Sequence, residues 1–248
     1  MKVLILNGSP KKHGASKYLS GIVKCMLIGC SITEYSLRNE NDYEAILLGF
    51  KEADAVFLSA PLYVDGIPSH MIRFLKEAEF FCKEHPCRFK LYAVSNNGFI
   101  EGRQSELHLE QYRCWCDRAG IIWGGGVGLG GGVMLHVLAY VALVYIGLLI
   151  IQAIMNAAAG TVLINAGMLI NFGKNMGMLL FLGSGMLLGL GRLAWFIRRK
   201  ECAKNFYSRV MLPSFLFLVV ADIFMALSAL LNGKLIFSLY RKDSGKGE

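Results

Sequence analysis

The chain has 248 residues, of which 54% are hydrophobic and 18% charged, and its formal net charge is +8. No basic run of five to eight residues and no RNA-type aromatic motif occurs, so nucleic acid is not an expected partner. The seven cysteines include no C-x-x-C pair, and no metal site is expected. Charge is unevenly spread, because Lys174 is the only formally charged residue between Arg118 and Arg192.

The first predicted elements are a strand and a helix joined by a polar turn. The branched apolar run at 3–6 ends at the Asn7-Gly8-Ser9-Pro10 sequence, and an amphipathic segment follows at 16–28. Such a junction brings backbone N–H groups, hydroxyls and the positive end of a helix to one point. The sequence therefore predicts a phosphate site at the first turn of an α/β domain.

Further strands and helices alternate at short loop lengths along the first half of the chain. This alternation predicts a parallel sheet with helices on both faces and a ligand at the rim formed by the carboxyl ends of the strands. The predicted strands are 3–6, 32–37, 55–59, 89–95 and 121–127, and the predicted helices are 16–28, 41–53, 67–84 and 103–119.

Two more loops with unusual chemistry follow predicted strands. The loop at 60–68, APLYVDGIP, contains two prolines and an aromatic residue, Tyr63. The loop at 95–102, SNNGFIEG, contains the Asn and Gly residues that favour a tight turn. Together with the first loop, they predict the walls of a site for a flat ring that bears a phosphate. The glycine-rich segment 124–132 is interpreted as a flexible junction or a close-packing loop.

The order GSPKKHGAS, ADAVFLSAPLYVDGIPSHMIRFLKEAE and SNNGFIEG resembles the NAD(P)H-dependent FMN reductase family of the flavodoxin-like superfamily. The resemblance covers roughly the first half of the chain. It implies an α/β fold with a doubly wound, parallel, five-stranded sheet in the order 2-1-3-4-5. It also implies FMN at the rim of this sheet and NAD(P)H as the electron donor.

The same resemblance implies which residues hold the cofactor. They are Ser9, Lys11, Gly14, Ala15, Ser16, Pro61, Leu62, Tyr63, Asn97 and Gly98. The first five would surround the phosphate, the next three would border the isoalloxazine ring, and the last two would close its other side. No catalytic acid or base is assigned, because hydride transfer to a flavin needs no protein nucleophile. Many members of the family have Asn-Gly-Asn-Thr where this chain has the His13-Gly14-Ala15-Ser16 sequence.

The second half is apolar enough to predict membrane helices, at about 133–155, 175–197 and 211–232. A spanning helix needs about 20 apolar residues. Trp195 is interpreted as an interfacial aromatic residue, and the basic residues after it predict a cytoplasmic loop. The expected domains are therefore 1–132, flavodoxin-like and FMN-binding, and 133–248, helical. Because the chain starts without signal-peptide regions, the first domain is expected in the cytoplasm at the cell membrane.

Several alternatives remain open for the apolar half. The third segment contains Asp222 and precedes a basic tail, so it could span, re-enter or lie in the interface. The Gly185-x-x-x-Gly189 spacing fits either a helix-packing face or ordinary small-residue usage. If 192–213 is the region that follows the last strand in soluble relatives, the apolar block is partly an insertion. A soluble helical domain that oligomerises is a further alternative.

The sequence thus predicts a membrane-attached, FMN-dependent oxidoreductase that uses NAD(P)H to reduce a quinone-like or protein acceptor. The alternative is a non-catalytic flavin-sensing or redox-sensing module with a membrane anchor. Expected partners are a nicotinamide nucleotide, the acceptor and membrane lipid, and a homodimer is left open.

Overall fold

The structure is a computed structural model that describes residues 1–63, 66–231 and 233. Val64 and Asp65 of the second predicted loop lie outside the described residues. So do residue 232 of the third predicted span and the basic tail that follows Gly233.

Strands and helices alternate through the first half, as the sequence predicts. The strands are β1 (Lys2–Asn7), β2 (Ser31–Ser36), β3 (Ala55–Pro61), β4 (Lys90–Asn96), β5 (Ile122–Gly130) and β6 (Phe206–Arg209). The helices are α1 (Ala15–Met26), α2 (Tyr43–Phe50), α3 (Ser69–Glu84), α4 (Glu106–Ala119), α5 (Gly132–Ala158), α6 (Ala166–Arg199) and α7 (Ser214–Leu231).

The strands form one parallel sheet in the order β2-β1-β3-β4-β5-β6. The order of the first five strands confirms the predicted 2-1-3-4-5 arrangement. The predicted count of five is wrong, because residues 206–209 pair with residues 127–130 as a sixth strand. The chain reaches this edge only after α6, far along the sequence from the strand that it joins.

The strands are apolar along both faces because helices cover both sides of the sheet. The side chains of β1, β3 and β4 that share one face pack with α2, α3 and α4, around Phe50, Phe74 and Tyr112. The opposite face is covered by α1 and α6. The glycines of 124–130 lie in β5 rather than in a loop. A Cβ at Gly130 would lie 2.1 Å from the Ile100 carbonyl oxygen, so this close approach requires glycine.

The second part of α6 belongs to the sheet domain. Residues 183–197 bury a face with helical spacing, and Gly189 lies beside Val127 of β5 and Phe206 of β6. At the far end of the helix, Arg198 donates a hydrogen bond to the Ile28 carbonyl oxygen at 3.1 Å. Gly185 and Gly189, the two glycines of the G-x-x-x-G spacing, thus contact the sheet. Trp195 lies on this packed part of α6, away from residues 166–182.

The first part of α6 forms an antiparallel hairpin with α5. Leu138 of α5 lies beside Gly183 at one end, and Asn156 contacts Met168 at the other. The hairpin starts at the rim formed by the carboxyl ends of the strands, because α5 begins two residues after β5. Residues 166–182 extend about 25 Å beyond this rim at about 1.5 Å per residue.

Contacts within the chain group residues 1–211 into one compact unit and residues 212–248 into another. The predicted boundary after residue 132 does not coincide with this division, because α6 returns to the sheet. Within the part of the chain that the structure describes, three helices are long and apolar enough to cross a membrane: Val137–Ala158, Ala166–Arg199 and Ser214–Leu231. In the second unit, α7 carries Asp222 near its middle.

A histidine is buried at the carboxyl end of β4. His108 is fully buried, with its Nδ1 2.7 Å from the Ser95 Oγ and its Nε2 2.7 Å from the Tyr112 hydroxyl. Desolvation lowers the pKa of His108 to about 4 because burial disfavours the charged imidazolium. The ring is therefore neutral at physiological pH and acts as a hydrogen-bonding part of the core.

This burial predicts a loss of stability in acid. An unfolded histidine has a pKa of about 6.5, so the unfolded chain binds more protons between about pH 6.5 and 4. The free energy of unfolding should fall as the pH falls through this window, by up to about 3 kcal/mol. Urea unfolding of the detergent-purified protein at several pH values measures this slope. His108→Gln should make this slope shallower, and an unchanged slope in the variant would contradict the assignment.

Candidate functional site

The three loops singled out in the sequence meet at one rim of the sheet. They follow β1, β3 and β4, which are neighbouring parallel strands, so their carboxyl ends lie side by side. Backbone hydrogen bonds join the loops to each other. The Gly8 N–H donates to the Ser59 carbonyl at 2.8 Å, and the Leu62 N–H donates to the Asn96 carbonyl at 2.8 Å.

The first loop ends at an uncapped helix. Gly14 is the N-cap of α1, and within the described residues no side chain caps this helix. The N–H groups of its first turn and the positive end of the helix suit an anion. Lys11 is exposed beside them. A Cβ at Gly14 would lie 2.5 Å from the Ser9 Oγ, so glycine allows the loop to fold closely over Ser9.

The two serines of this loop are buried and form internal hydrogen bonds. The Ser9 Oγ accepts a hydrogen bond from the Lys11 N–H at 3.2 Å. The Ser16 hydroxyl donates to the Asn96 Oδ1 at 2.8 Å, and the Ser59 hydroxyl donates to the Ser16 carbonyl at 3.0 Å. Because its proton is already donated, the Ser16 hydroxyl supports the rim in this conformation. The backbone N–H groups and Lys11 remain as donors for a phosphate.

The second loop presents one exposed aromatic ring. Pro61 is buried, Leu62 is half-buried and Tyr63 is 39% exposed. The Gly66 N–H donates to the Tyr63 carbonyl at 3.1 Å, which turns the chain back just after the strand. Desolvation raises the pKa of Tyr63, so the hydroxyl stays protonated at neutral pH. This loop can provide a flat apolar wall.

The third loop is shaped by Asn97. Its buried side-chain amide donates to the Glu101 carbonyl at 3.2 Å and to the Ser105 Oγ at 3.1 Å, and its oxygen accepts from the Phe99 N–H at 3.0 Å. Through these three hydrogen bonds, the Asn97 side chain holds the turn in place. Gly98 and Phe99 form the exposed part of the loop, and the Phe99 ring is 60% exposed.

Sequence reasoning missed several residues that build this rim. Asn7, Ser59 and Asn96 are buried polar residues that end apolar strands, and their bonds connect the loops. The sequence contained a signal for these three residues, because a buried polar residue at the end of an apolar strand needs a hydrogen-bond partner at the rim. Phe99 was also missed, although an exposed aromatic residue next to an Asn-Gly turn is visible in the sequence. In the described ranges, no group of His, Cys, Asp or Glu side chains is suited to a metal ion.

No protein-family model and no curated protein matches the sequence. Among solved structures, the Trp repressor binding protein from Bacillus subtilis is similar at 15% identity and a TM-score of 0.43, over 52% of this chain and 84% of that one. An azoreductase from Bacillus anthracis has 15% identity and a TM-score of 0.43, over 55% and 90% of the two chains. An NADH:FMN oxidoreductase has 12% identity and a TM-score of 0.41, over 48% and 70%. At this level of similarity, these proteins assign no activity to the chain.

The hydrogen bond from Ser16 to Asn96 predicts a difference between two serines of α1. Ser16→Ala should lower the free energy of unfolding by about 1–3 kcal/mol, because the buried Asn96 oxygen loses its donor. Ser20 is equally buried, and its hydroxyl has no hydrogen-bond partner among the described residues. Ser20→Ala should therefore leave stability unchanged or raise it. Urea unfolding compares the two variants, and equal losses would argue against a supporting role for Ser16.

Proposed function

We propose that this protein is a membrane-attached, FMN-dependent oxidoreductase that takes electrons from NAD(P)H and passes them to a quinone-like or protein acceptor. The flavodoxin-like domain would lie in the cytoplasm at the cell membrane. The observation that carries the proposal is the uncapped start of α1 at the point where the strand order reverses between β1 and β3. Sheets of this class bind their ligands at that switch point, and flavodoxins, which have this strand order, bind FMN there.

The donor set of the first loop fits the phosphate of FMN. The backbone N–H groups of Ala15 and Ser16, at the start of α1, and the exposed Lys11 would bind the dianion. Ser9 and Gly14 would keep the loop closed beneath it. This assignment retains the five residues that the family resemblance implies, but it gives the Ser16 hydroxyl a supporting role.

The other two loops fit a flat ring. Pro61, Leu62 and Tyr63 would border one side, and the turn with Gly98 and Phe99 would border the other, held in place by Asn97. When bound, FMN supplies a ring that accepts hydride and releases electrons singly or in pairs. The protein residues would bind, orient and shield this ring, and no side chain is proposed as an acid or base.

A non-catalytic flavin-sensing or redox-sensing module with a membrane anchor is the second candidate. The internal hydrogen bonds of Ser16 and Asn97 favour it, because they leave fewer polar side chains free to tune a bound flavin. The oxidoreductase requires flavin binding and turnover, whereas the sensing module requires no turnover.

The hairpin supports membrane attachment. Residues 137–158 have a mean hydropathy of 2.5, and none of their most apolar window is buried within the protein. Exposed apolar surface of this extent is unfavourable in water and favourable in lipid. A hairpin that crosses twice would also leave residues 1–132 and 183–211 on the same side, as their packing into one compact unit requires.

Membrane insertion of Lys174 carries a free-energy cost in this proposal. A lysine in the middle of a membrane helix costs about 2.5–3.5 kcal/mol on insertion scales. It lines a cavity of about 310 Å³ between α5 and α6, together with Gln152, Asn171 and Asn175. Polar groups of the two helices thus share one site, which reduces the cost of inserting each of them.

Flavin binding and reduction test the proposed activity. The detergent-purified protein should bind FMN, with quenched flavin fluorescence, and NADH or NADPH should bleach the flavin absorbance. Lys11→Gln should weaken FMN binding about tenfold, since it removes a charge-assisted contact to the phosphate. Lys76→Gln, an exposed lysine on α3, should have no effect. Bound FMN without reduction would favour the sensing module, and no binding would contradict the oxidoreductase.

Labelling of cysteines tests the proposed topology. Cys25, Cys114 and Cys202 are exposed on the sheet domain and should be protected from an impermeant maleimide in intact cells. Thr161→Cys, in the loop between α5 and α6, should become labelled because this loop would lie on the other side. Labelling of the native cysteines in intact cells would place the domain outside, and protection at both sites would contradict a spanning hairpin.

A further inference from the structure

A basic cavity lies at the rim from which the hairpin rises. It is located at the carboxyl ends of β1 and β2, next to the first turn of α1, and has a volume of about 340 Å³. We call it the rim cavity, and it is lined by Asn7, Lys11, Lys12, Lys17, Glu34, Tyr35, Ser36 and Arg38.

The charges of the rim cavity are strongly unbalanced. Among the described residues, none of its four cations forms an ion pair, whereas Glu34, its only carboxylate, pairs with Lys24 at 3.1 Å. The cavity therefore has an excess of positive charge that the protein does not neutralise. Lys11 lines this cavity and is also assigned to the proposed flavin site, whereas Lys12, Lys17 and Arg38 line the cavity and are not assigned to the flavin site.

The position of the rim along the axis of α5, relative to the start of the apolar span, indicates which ligand the rim cavity binds. The N–H of Gly132, the first residue of α5, donates to the carbonyl of Asn97 at the rim. The apolar span begins at Val137, about 7 Å farther along the helix axis. The headgroup layer on each side of a bilayer is about 5–8 Å thick. If the hairpin crosses the membrane, the rim lies at the level of the lipid headgroups.

We propose that the rim cavity binds the phosphate of an anionic lipid headgroup in the leaflet from which the hairpin rises. The proposal rests on the membrane insertion that is part of the proposed function. Anionic headgroups attract nearby Lys and Arg side chains, by about fivefold in affinity for each cation, and the attraction falls off within about 10 Å. Such a contact holds the rim against the lipid surface and orients the flavin site toward an acceptor in the membrane.

Thermal unfolding with added short-chain lipid tests this site. The full-length protein in neutral detergent is titrated with dihexanoyl phosphatidylglycerol, dihexanoyl phosphatidylcholine or inorganic phosphate. A ligand that binds only the folded protein raises the melting temperature. We expect a saturable rise with phosphatidylglycerol, and no comparable rise with phosphatidylcholine or inorganic phosphate. Equal shifts with the two lipids, or a shift with phosphate as large as that with phosphatidylglycerol, would overturn the proposal.

A charge-matched pair of triple variants locates the binding. Lys12→Gln/Lys17→Gln/Arg38→Gln should weaken the apparent affinity for phosphatidylglycerol about 100-fold, at about 1 kcal/mol per cation. Lys51→Gln/Lys76→Gln/Arg88→Gln removes the same charge from exposed positions away from the rim cavity and should retain the affinity. Equal losses in both variants would overturn the proposal, because net charge would then explain the effect. Circular dichroism verifies that both variants are folded.

Two controls separate this proposal from the proposed function. Extraction of membranes with alkaline carbonate reports whether the protein is integral, and release into the supernatant would remove the basis for both membrane proposals. FMN titration of the rim-cavity variant should show a much smaller loss of affinity than the titration with phosphatidylglycerol, since Lys11 and the N–H groups at the start of α1 are retained. A protein that stays in the membrane and binds FMN, but does not distinguish the two lipids, would refute the headgroup site alone.

Discussion

A single continuous helix connects the two parts of the compact unit. Residues 183–197 of α6 bury one face against the sheet and α1, whereas residues 166–182 extend beyond the rim as one arm of an apolar hairpin. The backbone hydrogen bonds of α6 run without a break through both parts. The two parts of the helix therefore cannot bend freely against each other. The hairpin is therefore held in a defined direction relative to the sheet, and α5 starts from the rim of the same sheet.

This constraint brings the candidate flavin site and the hairpin to the same edge. In a parallel sheet of this order, ligand-binding loops lie at the carboxyl ends of the strands, and here the apolar hairpin leaves from those ends too. A membrane around the hairpin would face the proposed flavin directly. For a reductase with a lipid-soluble acceptor, this arrangement shortens the path between cofactor and acceptor.

The rim combines rigid support with exposed contact groups. Ser16, Ser59 and Asn96 join three elements through buried hydrogen bonds, and Asn97 holds the neighbouring turn. Buried polar networks are stable only when their groups are satisfied, which restricts the loop conformations. The groups left for ligands are backbone N–H groups, lysines and aromatic rings, a set that suits a phosphate attached to a flat ring. The need to satisfy buried polar groups also explains why the side chains of Ser16 and Asn97 form hydrogen bonds within the protein. The family resemblance implies both residues as cofactor contacts.

The sequence by itself determined the alternation of strands and helices, the loops at their ends and the apolar character of the second half. These features depend on local patterns: short branched apolar runs, helical spacing, and turns marked by Gly, Pro and Asn. Only the tertiary structure decided that α6 is divided between the sheet and the hairpin, because an apolar helical face looks the same whether protein or lipid covers it. It also decided the sixth strand, whose four residues gain their pairing from β5 across a long separation in sequence. The hydroxyl of Ser16 gained its role in the same way, from an asparagine 80 residues away that only folding brings within hydrogen-bond distance.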